Sequence, residues 1–507
     1  MRKHIHILLC CLLPSFVWGQ TALRFTPTYS KPMVEARGES AMKGHDENPN
    51  RYASSYWDYV GGLVAKSLLK YYQQYKDDAD YAQSAEKAYA LAKGYADKSV
   101  GTNAGNPIEN GFVYGSIDAI ASSKILIDLH EREKDAKGNS RYKTAAEWVT
   151  NYVLTDYPKI TQELGKGGFY HKKGYPNQMW LDGLYMGAAY LAEYLHAFKP
   201  ANAAEVWKTI AYQFTTIHAH TWDAEKRLNY HAWAAAIDDN AFWAKEQWND
   251  DHTEKTTLSI KEGHSQEFWG RGMGWYFAAL VDVLEFMPEG NDREALMGIL
   301  DDVASGLKAR QDKTHGVWCQ LLQYPVGKEF VKGRYESSKA AGSNVSADTK
   351  KNYFEASASC MFTYAYLKAC RLGLLDKAEY EPVARKAFEG IQEVFVKEGS
   401  DGKPSLGSIC RSAGLGASGN KYRDGTPQYY LWGKDATEIA TNEGKGIGPY
   451  IMACLEYEML TEESTAVQNL SNSAPQYISN PIFNLKGESV AADYKGVVIS
   501  KGKKILR

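Results

Sequence analysis

The sequence predicts an all-α fold: a closed ring of six helical hairpins, followed by a short β module. Three observations carry that reading. Apolar residues recur at three- and four-residue steps through eleven segments, and no convincing run of alternating strand type interrupts them. These segments group in pairs whose first members begin near residues 56, 116, 179, 271, 353 and 442, giving six units of 60 to 90 residues. The first helices also differ from the second. Their starts are crowded with glycine, aromatic and hydrogen-bonding residues, as in Trp57-Asp-Tyr-Val-Gly-Gly62, Gly115-Ser-Ile-Asp118 and Trp269-Gly-Arg-Gly-Met-Gly-Trp275. The second helices are plainer amphipathic stretches with charged outer faces. That asymmetry puts the first helices in an inner ring whose starts share one mouth, where glycine allows close packing and helix N-termini favour anions.

In chain order, Arg2, Lys3 and His4 precede the apolar run Ile7 to Leu13, and Val17-Trp-Gly19 places small residues before Gln20. Residues 1–19 therefore read as a secretory signal peptide. The expected destination is the periplasm, or the cell surface and beyond. Residues 20–50 are polar and turn-rich, an arm lying on the main domain. The ring spans 51–465, with helices expected at 56–75, 80–97, 116–131, 139–154, 179–197, 202–218, 271–286, 292–311, 353–372, 376–396 and 442–460. A twelfth helix shows no pattern of its own, and residues 461–470 are the remaining candidate. Two long connections, 219–268 and 313–351, are of the kind that carries function in compact domains. The first holds His231, Trp233 and His264; the second holds Trp318 and Lys339-Ala-Ala-Gly-Ser-Asn344. In 466–507 the character changes, and Pro481–Gly487 with Gly496–Gly502 reads as a β-hairpin module.

Composition narrows the function classes. A chain of 507 residues that is 44% hydrophobic and 24% charged is globular. Its 59 Lys and Arg against 61 Asp and Glu leave no basic stripe for nucleic acid and no polybasic patch for a membrane. No stretch is long and apolar enough to span a bilayer. Cys319, Cys360, Cys370, Cys410 and Cys454 are scattered and lack zinc-site spacing, so buried free thiols are the default expectation, with one disulfide as the alternative. His218 and His220 have nothing nearby to complete a ligand set, and no metal is expected. Aromatics reach 13%, with 35 Tyr and 13 Trp; a Tyr-rich core and sugar-stacking faces both account for them.

The most informative stretch is Gln178-Met-Trp-Leu-Asp-Gly-Leu-Tyr-Met186, which sets Asp182 between Trp180 and Tyr185 at the start of an apolar helix. From position alone Asp182 is either a helix cap or an acid held in an apolar pocket. Together with Trp269-Gly-Arg-Gly-Met-Gly-Trp-Tyr276, Glu355-Ala-Ser-Ala-Ser359, Tyr422-Arg-Asp-Gly425 and Lys445-Gly-Ile-Gly-Pro449, it resembles the unsaturated rhamnogalacturonyl and glucuronyl hydrolases. These form family 105 of the glycoside hydrolases, with family 88 as a cousin. The resemblance runs from about Trp57 to Tyr457. It implies an (α/α)6 barrel and an exo-acting enzyme that removes the 4,5-unsaturated uronic acid that lyases leave at a non-reducing end. The tail from Pro481 resembles the C-terminal sorting-type modules of secreted Bacteroidetes proteins.

The implied chemistry is hydration of an enol ether: an acid protonates C4, water adds at C5, and the hemiketal opens and sheds the aglycone. It needs neither metal nor organic cofactor. The resemblance makes Asp182 the acid and base, and an apolar setting that raised its pKa by about two units would bring its protonated fraction near pH 6.5 from about 0.3% to about a fifth. Asp118 matches a second carboxylate, which would hold hydroxyls and help keep Asp182 protonated; helix-dipole support is its plain alternative. Arg271 would reach the substrate as a planar fork for a carboxylate or hydroxyl, and a structural ion pair is the commoner role. Trp275, on the same helix face, and Trp180 would pack on the sugar, with a core position nearly as expected for Trp275. His171 and His231 would hydrogen-bond the sugar acid. Asp182-Gly183 and Gly272-Met273 depart from relatives that carry a second acid and an Asn, which bears on the aglycone side. An inverting glycosidase on saturated uronides and a non-catalytic glycan-binding protein are the rival expectations.

Overall fold

A computed structural model describes residues 25–43, 57–248, 254–258, 262–330, 350–418, 421–432, 438–473 and four short strands between 482 and 506. The signal-peptide segment 1–19 and the Lys339–Asn344 stretch lie outside the described residues. The chain forms two compact units, Pro27–Leu460 and a second made of Met1–Thr26 with Thr461–Arg507.

Among the described residues, twelve helices have ten residues or more. They are α1 (Ser30–Met42), α2 (Tyr59–Tyr75), α3 (Ala82–Asp97), α4 (Lys124–Glu133), α5 (Arg141–Thr155) and α6 (Ala189–Phe198). There follow α7 (Ala203–Thr221), α8 (Gly270–Leu284), α9 (Asn291–Arg310), α10 (Ala356–Arg371), α11 (Lys377–Val394) and α12 (Gly444–Ser473). Even-numbered helices make the inner ring. Helix α8 buries every residue from Gly270 to Leu284, and α10 buries Ala356 to Cys370. Such all-round burial is what an apolar helix between two layers does. By contrast, α9 buries only the stripe Leu296, Ile299, Leu300, Val303, Ala304, Gly306 and Leu307. Helix α12 closes the ring on α2: an added Cβ at Gly444 would lie 2.5 Å from Val60, and one at Gly448 2.9 Å from Leu63. Only glycine permits that approach.

The twelfth helix comes from the other end of the chain than expected. Residues 461–470 continue α12, and the outer partner is α1, inside the stretch expected to be an irregular arm. It packs on α2 and α3. Glu458 pins its start: Oε1 accepts from the Tyr29 and Ser30 amides at 2.9 and 2.8 Å, and Oε2 accepts from Ser30 Oγ and Tyr75 at 2.7 and 2.8 Å.

All six inner helices start at one end of the barrel. Their later turns carry paired charges: Lys66 with Asp128 and Glu193, Lys368 with Asp282 and Glu285, Arg371 with Glu456. Every inner helix contributes a member to these pairs, which offsets the cost of burying their charges.

Two inner helices depart from the expected continuous runs near their starts. The segment 116–131 is broken into a single turn, Asp118–Ala121, and α4; at the break Ser122 Oγ donates to the Asp58 carbonyl at 2.8 Å. The segment 179–197 begins as strand β1 (Gln178–Trp180), passes through a π-helical turn at Leu184–Ala188 and only then becomes α6. Strand β1 pairs antiparallel with β2 (Ala232–Ala234) from the long 219–268 connection. In the second unit, strands Ile482–Asn484, Ser489–Val490, Val497–Ser500 and Lys503–Leu506 form one four-stranded antiparallel sheet, larger than a single hairpin.

Candidate active site

The β1–β2 ribbon brings Asp182 and His231 together across 49 residues of sequence. Trp180 pairs with Ala232, and the Leu181 amide donates to the His231 carbonyl at 3.0 Å. This register leaves the next side chain, Asp182, beside His231, whose Nε2 lies 3.2 Å from Asp182 Oδ2. Gly272 in α8 makes room for the imidazole, since a Cβ there would lie 3.3 Å from it. Asp182 makes no cap to the following helix. Its carboxylate belongs to the site, not to helix capping.

A second set of backbone contacts assembles the opposite wall. The Ile117 amide donates to the His171 carbonyl at 3.2 Å, the Lys173 amide to the Gly115 carbonyl at 2.6 Å, and Ser116 bridges Lys172. Gly115 takes φ +75°, and a Cβ there would collide with Lys173 at 2.7 Å. Asp118, opening its single turn, therefore faces the 171–173 segment. Lys172 Nζ lies 2.7 Å from one of its oxygens and His171 Nε2 lies 3.9 Å from the other.

Between these walls runs a cleft of about 690 Å³, lined by Trp57, Asp58, Tyr59, Tyr114, Asp118, His171, Lys172, Tyr175, Trp180, Asp182 and Arg423 among others. This is the size range of small-ligand sites. Trp180 stacks on His171, centroids 4.0 Å apart, and runs nearly parallel to Tyr175, 5.3 Å away. Arg423 extends the stack by donating to the Tyr175 hydroxyl at 2.9 Å. Asp182 is 9% exposed at the floor, whereas Tyr114 on the rim is 59% exposed.

The cleft's electrostatics differ from expectation. Burial pushes the Asp182 carboxyl up, but the opposing influence of His231, first through its hydrogen bond, and of His171 holds the group below the usual carboxylate range. A raised pKa from apolar packing alone is thus not found in the unliganded site. Nor is Asp118 a bare negative neighbour, because Lys172 compensates it. Burial drives His171 down to about 4 against the opposing pull of Asp118, which leaves it neutral near pH 7. Asp58 is the acid that burial does raise, to about 6, with Lys445 opposing.

Of the residues singled out by sequence, Asp182, Asp118, His171 and Trp180 share the cleft. His231 stands behind Asp182 and is fully buried. Arg271, 1% exposed, lies behind the wall: its guanidinium donates to the Cys410 carbonyl and to Ser357 Oγ and packs over Trp269. Trp275, 2% exposed, packs against Tyr59 and Tyr185. Neither Arg271 nor Trp275 lines the cleft, so the expected direct contact with sugar is absent from this geometry. Sequence reasoning passed over Asp58, Lys172, Tyr175 and Arg423. The Lys172 signal was its place beside His171; Arg423 stood inside a quoted motif. All five cysteines expected to be free thiols are buried and form no disulfide. Among the described residues, no group of three His, Cys, Asp or Glu side chains is placed to hold a metal, and no helix is long and apolar enough to cross a membrane.

Comparison with known proteins agrees with this geometry. The model of Glycosyl Hydrolase Family 88 matches residues 34–342 and 340–461. The structure of a family 105 glycoside hydrolase from C. acetobutylicum ATCC 824 superposes with a TM-score of 0.64 at 30% identity, covering 85% of this chain and 99% of that one. The 24.9 kDa protein in the picA locus of Rhizobium radiobacter is 34% identical over 201 residues, 39% of this chain and 75% of that protein. An unsaturated 3S-rhamnoglycuronyl hydrolase from Formosa agariphila is 26% identical over 226 residues, 44% of this chain and 48% of that protein. A helical barrel with an acid at the floor of its cleft, matched to the family over nearly all of its length, identifies the chain as a glycoside hydrolase that belongs to Glycosyl Hydrolase Family 88.

Proposed function

We propose that the enzyme is exo-acting and removes a 4,5-unsaturated uronic acid from the non-reducing end of lyase-made oligosaccharides by hydrating the double bond. The observation that carries this reading is Asp182, 9% exposed at the floor of the cleft, hydrogen-bonded to a buried imidazole and flanked by Trp180. The depth of Asp182 favours action on a terminal sugar, hence exo action. The family match sets aside a purely non-catalytic glycan-binding role.

In the proposed sequence, protonated Asp182 gives its proton to C4 and positive charge develops at C5, shared with the ring oxygen. The resulting Asp182 carboxylate takes a proton from water as the water oxygen bonds to C5. The C5 hemiketal opens to a ketone, and the hemiacetal left at C1 releases the aglycone. The resting carboxyl is held ionised, so protonation must accompany binding. The substrate supplies the means: its own C5 carboxylate, brought near Asp182, favours the neutral form of Asp182.

Cations that line the cleft, Lys172 and Arg423, are placed to receive that carboxylate. Exposed Tyr114, braced edge-on by Phe112, Trp148 and Tyr152, offers a rim platform for the leaving sugar. We also propose that residues 1–19 direct export. The test of the activity is turnover of unsaturated pectin-, ulvan- and glycosaminoglycan-derived disaccharides beside their saturated counterparts. Loss of the enol-ether absorbance with unsaturated substrates alone supports the reading; cleavage of the saturated ones overturns it.

A further inference from the structure

We infer that Tyr430 is a positioning residue that fixes the tautomer of His231 and, through it, the oxygen of Asp182 that carries the catalytic proton. The inference rests on the reading of Asp182 as proton donor. Tyr430 lies in the short helical turn Pro427–Trp432, 199 residues beyond His231, and its hydroxyl is 2.6 Å from His231 Nδ1. Both residues are fully buried. Their rings are held in place by Trp269, whose centroid is 4.6 Å from His231 and 6.1 Å from Tyr430. The Tyr430 backbone is tied in turn by Gln320, which donates to its carbonyl at 3.4 Å.

The direction of the bonds follows from the inventory of donors. Among the described residues the Tyr430 hydroxyl has no hydrogen-bond partner other than His231 Nδ1. A buried O–H with one available acceptor donates to it, since an unmade bond there costs about 1–3 kcal/mol. Nδ1 is then the acceptor, and the ring proton sits on Nε2. Nε2–H points at Asp182 Oδ2, which accepts. That occupied oxygen cannot also carry the acid proton, so protonation of Asp182 places it on Oδ1.

The opposite tautomer would reverse the outcome. With the proton on Nδ1, the bare Nε2 would face Asp182 and accept a proton from Oδ2. The acid proton would then be held between carboxyl and imidazole, away from C4. Tyr430 prevents this without touching the sugar. It belongs to neither the helical pattern nor the motifs around Asp182, which is why only the folded geometry reveals it.

The test combines a spectroscopic and a kinetic readout on the full chain. Histidine is labelled with nitrogen-15, and the His231 signals are assigned among the 12 histidines with a His231→Asn variant. The expected wild-type spectrum at neutral pH has Nε2 protonated and Nδ1 unprotonated but hydrogen-bonded. In Tyr430→Phe the Nε2–H form should lose population. That variant's kcat should fall about ten- to a hundredfold with KM within about twofold, because the defect lies in proton delivery. A wild-type signal showing Nδ1–H or the imidazolium overturns the inference at once, whether or not the variant folds. So does a folded Tyr430→Phe with unchanged tautomer and unchanged kcat. The outcome is separable from the role of Asp182: an active Asp182→Asn would overturn that role and leave the tautomer result standing.

Discussion

Acid destabilisation through His171 is the prediction whose size follows most directly from the structure. His171 is 5% exposed, stacks on Trp180 at 4.0 Å and has its pKa driven down to about 4, chiefly by burial, with Asp118 opposing. An unfolded histidine titrates near 6.5. Between these values the unfolded chain binds the proton and the folded chain refuses it, so stability falls as pH falls through that window. Each unit is worth about 1.4 kcal/mol, which makes the whole window roughly 3 kcal/mol and its upper part, down to about pH 5, roughly 2 kcal/mol. His171→Gln keeps a polar side chain but removes the titration. Urea unfolding of both proteins at about pH 7.5 and about pH 5 isolates the effect, because other titrating groups are shared. The wild type should lose roughly 2 kcal/mol more than the variant between the two conditions. An equal loss in both would refute the argument that His171 is buried neutral.

Three further outcomes are expected. Asp182→Asn should melt within a few degrees of the wild type and lose about a thousandfold or more in kcat, since it removes both acid and base; retention of a tenth of the activity would contradict its role. Lys172→Met should raise KM about tenfold for unsaturated disaccharides, measured by initial rates, because it removes a cleft cation and leaves Asp118 uncompensated. Glu458→Ala removes the acceptor of four hydrogen bonds, three at the start of α1 and one from Tyr75, and should cost roughly 3 kcal/mol or more in urea unfolding, with loss of the ring's closing helix.

Much of the barrel is legible because its helices carry strong periodic patterns. Eleven expected segments overlie observed helices, from α2 to α12. Helix α1 escaped because Ser30–Met42 contains Pro32 and Gly38 and buries a thin face of Met33, Val34, Gly38 and Ala41. Its place is fixed by Glu458, a contact 428 residues away from Ser30 that no local pattern encodes. The breaks at Ser122 and in the π-turn at Leu184–Ala188 were hidden for a related reason: both arise from neighbours, not from propensity.

At the site, Asp182, Trp180, His171 and Asp118 could be named from motif and spacing, and they meet in the cleft. Their charge states could not. The sequence places Asp182 among apolar residues, and burial alone would raise it; His231, brought across by the β1–β2 register, reverses the sign. Lys172 on a loop reads as a solvated charge until Asp118 is seen beside it. Tyr430 reads as one aromatic among many until its hydroxyl is found on His231.

The central claim is that the enzyme attacks the double bond and not the glycosidic bond. The measurement that tests it most directly compares an unsaturated uronyl disaccharide with its analogue carrying sulfur at the glycosidic position. Ordinary glycosidases must protonate the linking atom, and sulfur accepts that proton poorly; protonation at C4 does not involve it. The account predicts comparable initial rates of enol-ether loss for the two substrates, each followed by release of its aglycone, and loss of both signals in Asp182→Asn. Rapid cleavage of the oxygen-linked substrate beside an inert sulfur-linked one would contradict it.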